Sequence, residues 1–263
     1  MSNVMERTLA ALDLLSRHPD GLAVAQVAQA LNLAPSAAHR LLTDLVRLGY
    51  ARQVRAQGDY ALTLRLAVLG LGWMGRAGLD DLVQPVLDDL AATSGELVRL
   101  SVPDGARLVW VAVAQGATHG LRYDPAREQG AEVALAHSAS GLAWLMAMAP
   151  DQALQAVARQ GLAPPPGAAP GPVPTLDDVA RARAQALGRG YAVAVDTFLA
   201  GMAALAVPVR GADGVALGCL SIAGPAVRLT EARMAALAPA LQAAAQAVGD
   251  AAAGSALFRG ARA

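Results

Sequence analysis

Pro35-Ser36-Ala37-Ala38-His39-Arg40-Leu41-Leu42-Thr43-Asp44-Leu45-Val46-Arg47-Leu48-Gly49 decides how the front of the chain folds. Proline suits the first helical position and glycine the C-terminal stop, so the stretch reads as one helix. Residues three and four apart share a helix face. Ser36, His39, Arg40 and Thr43 fall on one side, and Leu41, Leu42, Leu45, Val46 and Leu48 on the other. The second side can pack while the first presents small polar and basic groups.

Working outward, Val4 to about Ser16 predicts an amphipathic helix with Met5, Leu9, Leu12 and Leu15 inward, ended by His18-Pro19-Asp20-Gly21. A second helix carries Val24, Val27, Ala28 and Leu31. Its start lacks a Ser, Thr, Asp or Asn cap, and Asn32-Leu33-Ala34 makes the turn into the third helix. Tyr50–Val54 and Tyr60–Leu64 read as two short strands joined by residues 55–59, with Arg52 and Arg55 on or beside the hairpin. Three helices and a basic hairpin form a winged helix-turn-helix. Its third helix suits the major groove, and its arginines suit phosphate or the minor groove.

The chain has 263 residues, enough for two domains. Its formal net charge is zero, unevenly spread: residues 1–76 hold eight arginines against five acids, and residues 77–263 hold 13 against 16. A basic front on an acidic back suits a nucleic-acid module joined to a soluble domain. All 21 basic residues are arginine; with the many alanines, this reads as a GC-rich coding sequence. One cysteine excludes an internal disulfide and fits a reducing cytoplasm. No basic segment followed by an apolar run opens the chain, so no signal peptide is expected. Val133–Pro150 is uncharged and near membrane-span length, but it contains His137, Ser138, Ser140 and Gly141 and reads as a buried helix with its preceding strand.

Arg65–Gly75 is too apolar for a solvated linker, with Leu66, Val68, Leu69, Leu71, Trp73 and Met74. It predicts a linker helix buried against a second copy, which a two-fold DNA site requires. Beyond it a helix reaches Ser94 with Leu82, Val86, Leu87 and Leu90 inward. Strands follow at 98–102 and 108–114, then helices at 138–148 and 151–160 and a Pro/Gly/Ala loop at 164–174. Thr175-Leu176-Asp177-Asp178 forms a capping box for the next helix. Strands at 191–195, 202–209 and 215–222 precede a helix from Thr230 to about Gly249. This is an α+β sensor-like domain. The expected organisation is 1–64 DNA reader, 65–78 linker helix, 79–253 effector domain and 254–263 flexible tail.

The ordered words resemble the IclR family of bacterial transcriptional regulators. In front they are Arg7-Thr8-Leu9, residues 22–28 (Leu-Ala-Val-Ala-Gln-Val-Ala), residues 36–42 (Ser-Ala-Ala-His-Arg-Leu-Leu), Leu48-Gly49-Tyr50 and Tyr60-Ala61-Leu62. Behind, they are residues 137–143 (His-Ser-Ala-Ser-Gly-Leu-Ala), Arg189-Gly190-Tyr191, residues 201–209 and residues 221–225 (Ser-Ile-Ala-Gly-Pro). The resemblance implies a winged-helix reader of double-stranded operator DNA, a linker helix, and a C-terminal GAF-like domain binding a small organic acid. It also implies dimers, often paired into tetramers, and repression as the default outcome. Ser36, Ala37, His39, Arg40 and Thr43 are the recognition-helix positions. Arg40 could contact phosphate or guanine, or brace the domain through Asp44.

The same resemblance implies an effector carboxylate held by backbone amides at the start of the His-x-x-x-Gly helix, here Ala139, Ser140 and Gly141, since the first N–H groups of a helix are unpaired. Asp196, Ala204, Ser221 and Ala223 stand at the family's further ligand positions. Ala204 occupies a place where cysteine can occur, Ala223 replaces a second serine, and Leu142 replaces a common lysine. These departures remove hydrogen-bonding groups and imply a larger, more apolar acid than a two- or three-carbon keto acid, aromatic or branched. No cofactor or metal is expected, because the four histidines and one cysteine lack metal-ligand spacing.

Two rival readings stand beside this one. Cys219 and His137 could be imagined as nucleophile and base, although Gly-Cys-Leu-Ser-Ile reads as a buried strand and no nucleophile elbow or phosphate loop occurs. Alternatively, the fold is retained as a sensor or interaction protein that has lost DNA binding or effector sensing.

Overall fold

The computed structural model describes residues 3–55, 58–123 and 128–252, together with Ser255 and Phe258. Its backbone contacts separate into two compact units, Met1–Trp73 and Met74–Ala263.

The first unit opens with α1 (Val4–Ser16), whose cap Asn3 accepts the Met5 N–H. This helix buries Ala11 and Leu15, while Met5 and Leu9, expected inward, are 68% and 57% exposed. Apolar residues lie on more than one face of α1, and the line through the small Ala11 is the one that approaches the other helices closely. The second helix, α2 (Val24–Ala30), starts without a side-chain acceptor at Ala23. Gln26 supplies the reciprocal half of a capping box: its Oε1 accepts the Ala23 N–H at 2.9 Å. Asn32 takes the left-handed conformation (φ 50°) in the turn that follows.

The third helix, α3 (Pro35–Arg47), buries Ala38, Leu42 and Leu45. Val46 and Leu48, expected on that side, are exposed. Gly49 stops the helix with φ 80°. Strands β1 (Ala51–Gln53) and β2 (Tyr60–Leu62) pair antiparallel from Ala51↔Leu62 to Gln53↔Tyr60. Leu22 and Tyr60 exchange both backbone hydrogen bonds, at 3.0 and 2.8 Å, a single-residue bridge that closes the wing onto the helices. Leu15, Val27, Leu42 and Tyr60 form the centre of this core. Each such burial is worth about 1.5–3 kcal/mol.

Helix α4 (Arg65–Arg76) buries none of its twelve residues. Leu66, Val68, Leu69, Leu71 and Trp73 are all exposed. Arg65 serves the first unit, since its Nη1 donates to the Leu48 carbonyl at 3.0 Å and its guanidinium lies 4.9 Å from the Tyr50 ring centre. A cation on the last carbonyls of α3 is favourable.

In the second unit a π turn (Leu79–Val83) leads into α5 (Gln84–Ser94). Leu87 and Leu90 are buried as expected, but Leu82 is exposed, because the π turn shifts the register and brings Leu79 and Val83 inward instead. Then come β3 (Leu97–Asp104), β4 (Arg107–Gln115), α6 (Ala139–Met146), α7 (Pro150–Gln160), α8 (Leu176–Arg189), β5 (Ala192–Val195), β6 (Met202–Arg210), β7 (Ala216–Pro225) and α9 (Glu231–Ala251). The five strands form one antiparallel sheet in the order β4-β3-β7-β6-β5.

The sheet is covered on both faces. Helices α5 and α9 pack on Val98, Leu100, Leu205, Leu220 and Ile222. Helices α6, α7 and α8 pack on the other face, over Trp110, Ala206 and Cys219. A register shift between Leu100 and Ser101 leaves Val111 unpaired, so Ala112 and Ala114 join the first core and Leu108 and Trp110 the second. Trp110 therefore lies under α6.

Ser255 and Phe258 are both buried, and Phe258 joins the core beside Ala77. The rest of the tail expected at 254–263 lies outside the described residues. Among the described residues no helix is long and apolar enough to cross a membrane.

Candidate DNA interface and effector pocket

On α3 the buried line Ala38, Leu42, Leu45 fixes which residues point away from the unit. With 100° per residue, Ser36, Arg40, Thr43 and Arg47 lie opposite that line. All four are exposed, as is His39, while Ala37 is half-buried. His39 leans toward the wing, where it lines a concavity with Gln53 and Asp59. Arg40 lines a groove on the α1 side with Arg7 and Arg47. The Thr43 hydroxyl donates to the His39 carbonyl at 2.9 Å, which leaves its oxygen free to accept. Asp44 pairs with Arg47 at 3.1 Å, and no ion pair to Arg40 is present among the described residues. Arg52 and Arg55 are exposed on the hairpin, whose residues 56 and 57 lie outside the described set. Arg47 was not among the sequence candidates. Its spacing from Ser36, Arg40 and Thr43 (eleven, seven and four residues) is the periodicity that identifies it.

In the second unit, Ser138 caps α6: its hydroxyl accepts the Gly141 N–H at 3.0 Å and donates to the Ala134 carbonyl at 2.8 Å. Among the described residues the Ala139 and Ser140 N–H groups have no acceptor. They therefore present the positive end of the helix. Gly141 is required here, because a Cβ would lie 2.5 Å from the Leu135 Cα and carbonyl oxygen. The opposing segment is held by Gln160, which accepts the Leu135 N–H at 2.7 Å and donates to the Val133 carbonyl at 2.8 Å.

A cavity of about 20 Å³ opens at this helix start. Its floor is the sheet, where alanines 194, 204 and 223 keep side chains short, and its walls are Tyr123, Phe198, Leu199 and Met202. Of the sequence candidates, Ala139, Ala204 and Ala223 meet in this cavity, with Ser140 and Gly141 buried along α6. Ser221 sits one row away; its hydroxyl is 3.4 Å from the Arg99 carbonyl. Asp196 is elsewhere. It lines a wider groove of about 400 Å³ beneath the 164–174 loop, and with φ 61° it folds back to accept the Gly201 N–H at 2.6 Å.

Sequence reasoning missed Arg99, which lines the cavity at 4% exposure. The guanidinium lies 4.5 Å from the Trp110 ring centre and 5.6 Å from that of Tyr123, and its Nη1 pairs with Glu128. Among the described residues its Nε has no acceptor. Burial pushes the Arg99 pKa down against the pull of Glu128, and raises that of Glu128 against the pull of Arg99. The signal was present: Leu97–Val102 is an apolar strand covered on both faces, so a charge inside it is buried.

Two domain families match the chain. The IclR helix-turn-helix domain covers residues 4–55, and the bacterial transcriptional regulator IclR C-terminal domain covers residues 73–250. The chain belongs to the IclR family of bacterial transcriptional regulators. Similar proteins include the transcriptional repressor IclR of Escherichia coli (strain K12), 27% identical over 232 residues, which span 88% of this chain and 82% of that one. The glycerol operon regulatory protein of Streptomyces coelicolor is 31% identical, with 86% and 85% covered. An IclR homologue from Microbacterium hydrocarbonoxydans, solved with 4-hydroxybenzoate, shares the fold at a TM-score of 0.72 and 20% identity, with 96% and 100% covered.

The IclR family is one of regulators rather than enzymes, and the rival catalytic pair fits that. Cys219 is wholly buried in β7, and burial pushes its thiol far up, away from the thiolate a nucleophile needs. In this IclR-family chain His137 has a structural part: its Nε2 meets the Leu162 carbonyl at 3.1 Å, and its own carbonyl accepts the Thr197 hydroxyl at 2.7 Å. It thereby fixes the approach to α6.

Proposed function

We propose that this chain is a transcriptional repressor that binds operator DNA through its first unit and releases or retains it according to a small organic acid bound in the second. The observation that carries the reading is the cavity that the α6 start at Ala139 and the buried Arg99 line together. Both favour an anion, and a carboxylate suits both. On the DNA side, Ser36, Ala37, His39, Arg40, Thr43 and Arg47 meet the major groove, and Arg52 and Arg55 meet the backbone beside the wing. The repressor name of the Escherichia coli relative supports the direction of control.

The apolar side chains on α4 suit burial against a second copy, giving the two-fold symmetry of a palindromic operator. The expected boundaries, a linker helix at 65–78 and a GAF-like effector domain at 79–253, belong to the same reading, as does a cytoplasmic site of action. The effector is an aromatic or branched carboxylate. Tyr123 and Phe198 line the cavity and Trp110 lies beneath it, three of only nine aromatic residues in the chain. The 4-hydroxybenzoate held by the Microbacterium homologue is of this class. In calorimetry, benzoate, phenylacetate or 4-hydroxybenzoate binds more tightly than glyoxylate and pyruvate. Tighter binding of either keto acid than of every aromatic acid would contradict the effector class.

A further inference from the structure

We propose that an anionic effector binds this chain by taking the place of Glu128 on Arg99, making Arg99 the residue that selects a carboxylate. The inference rests on the effector reading above and assigns its counter-charge.

Arg99 is nine-tenths buried and more, yet among the described residues its only side-chain acceptor is one Glu128 oxygen, at Nη1. Nε is buried, has no partner among the described residues, and belongs to a side chain lining the cavity. A carboxylate bridging Nε and an Nη group is the side-on bidentate arrangement that arginine favours. That fork is Nε with Nη2, whereas Glu128 is held at Nη1; the two carboxylates would stand side by side on one guanidinium, and their repulsion is what displaces Glu128. Glu128 is also the more exposed partner, at 17% against 4%, so it can return to water while Arg99 cannot. An incoming carboxylate satisfies Nε, keeps the buried charge paired, and frees Glu128 to be solvated.

The site also sets the shape of the ligand. The guanidinium is stacked against Trp110 and Tyr123, and Phe198 meets Trp110 edge-on at 5.4 Å. A flat acid whose carboxylate reaches Arg99 places its ring among these three. About 20 Å³ holds no such molecule, so the larger side chains that line the cavity, Tyr123, Phe198, Leu199 and Met202, must yield space. A charge-neutral isostere such as benzamide brings Arg99 one neutral acceptor but no counter-charge and no second oxygen for the fork.

The test titrates benzoate, 4-hydroxybenzoate, phenylacetate and benzamide into full-length wild type, Arg99→Met and Glu128→Gln by calorimetry. Arg99→Met should weaken the acids about 100-fold and leave benzamide as weak as before. Glu128→Gln, which removes the competing carboxylate, should tighten the acids about tenfold. Should Arg99→Met lose its cooperative melt, Arg99→Lys takes its place, with the charge kept and the side-on fork gone. Acids that bind wild type and Arg99→Met equally, or that gain nothing in Glu128→Gln, overturn the exchange while leaving the effector reading intact. Acids that bind neither wild type nor Glu128→Gln overturn both.

Discussion

Replacing Leu42 with alanine is expected to unfold the DNA-reading unit at physiological temperature while leaving the second unit folded. Leu42 is wholly buried at the meeting of α1, α2, α3 and the wing, in contact with Leu15, Val27 and Tyr60. Truncating a buried leucine costs about 2–5 kcal/mol, the lost transfer energy plus the cavity left behind. A unit of this size holds only on the order of 5 kcal/mol of net stability. A single substitution therefore consumes most of it, and DNA affinity falls with the folded fraction. Hydrogen exchange read by peptide mass separates the units: amides of α2 and α3 lose protection, and those of β3, β6 and β7 keep theirs. Unchanged protection in α3 would mean that its packing is not what holds the helix.

Gly141→Val is expected to abolish effector binding and to destabilise the second unit by about 3 kcal/mol. The new Cβ would sit 2.5 Å from the Leu135 backbone and 2.7 Å from the Ala134 carbonyl oxygen, all main-chain atoms. No rotamer relieves such a contact, and Gln160 clamps the opposing segment. Helix α6 must move instead, and with it the Ala139 and Ser140 amides. Gly188 in α8 provides the control, since a Cβ there meets nothing within 4 Å. Gly188→Ala should stabilise by about 0.5–1 kcal/mol through helix propensity. Thermal melts and calorimetry with the aromatic acids read both. A Gly141→Val protein with wild-type melting and binding would show that the helix start is not positioned by this contact.

The helix-turn-helix was legible because its punctuation is local. Pro35 fixes its own φ, and Asn32 and Gly49 admit the left-handed turns that end α2 and α3 at little steric cost. The Thr175–Asp178 capping box of the second unit was readable for the same reason. The inward face of α1 was not: Val4, Met5, Leu9, Leu12 and Leu15 are all apolar, and only packing against α3 selects Ala11 and Leu15. The π turn before α5 and the bulge at Val111 shift register without any change in sequence pattern, so Leu82 and Trp110 face where simple periodicity does not put them. At the candidate site, motif words led to the α6 amides and the alanine floor. Arg99 escaped because it belongs to no such word. The missing serine and lysine suggested an apolar pocket, whereas this chain places a buried arginine in it.

Operator binding measured by fluorescence anisotropy, using the chain's own upstream DNA and a scrambled duplex across a salt series, tests the central claim most directly. The account predicts that the upstream duplex binds more tightly and that affinity falls steeply with salt, as expected when several phosphates are neutralised. Arg40→Ala, which removes an exposed cation opposite the buried face of α3, should weaken binding by about 1–3 kcal/mol if it reads a base, and Arg47→Ala should flatten the salt slope by about one phosphate. Equal, weak binding to both duplexes, unchanged by either substitution, would contradict the assignment of α3 as the DNA-reading surface.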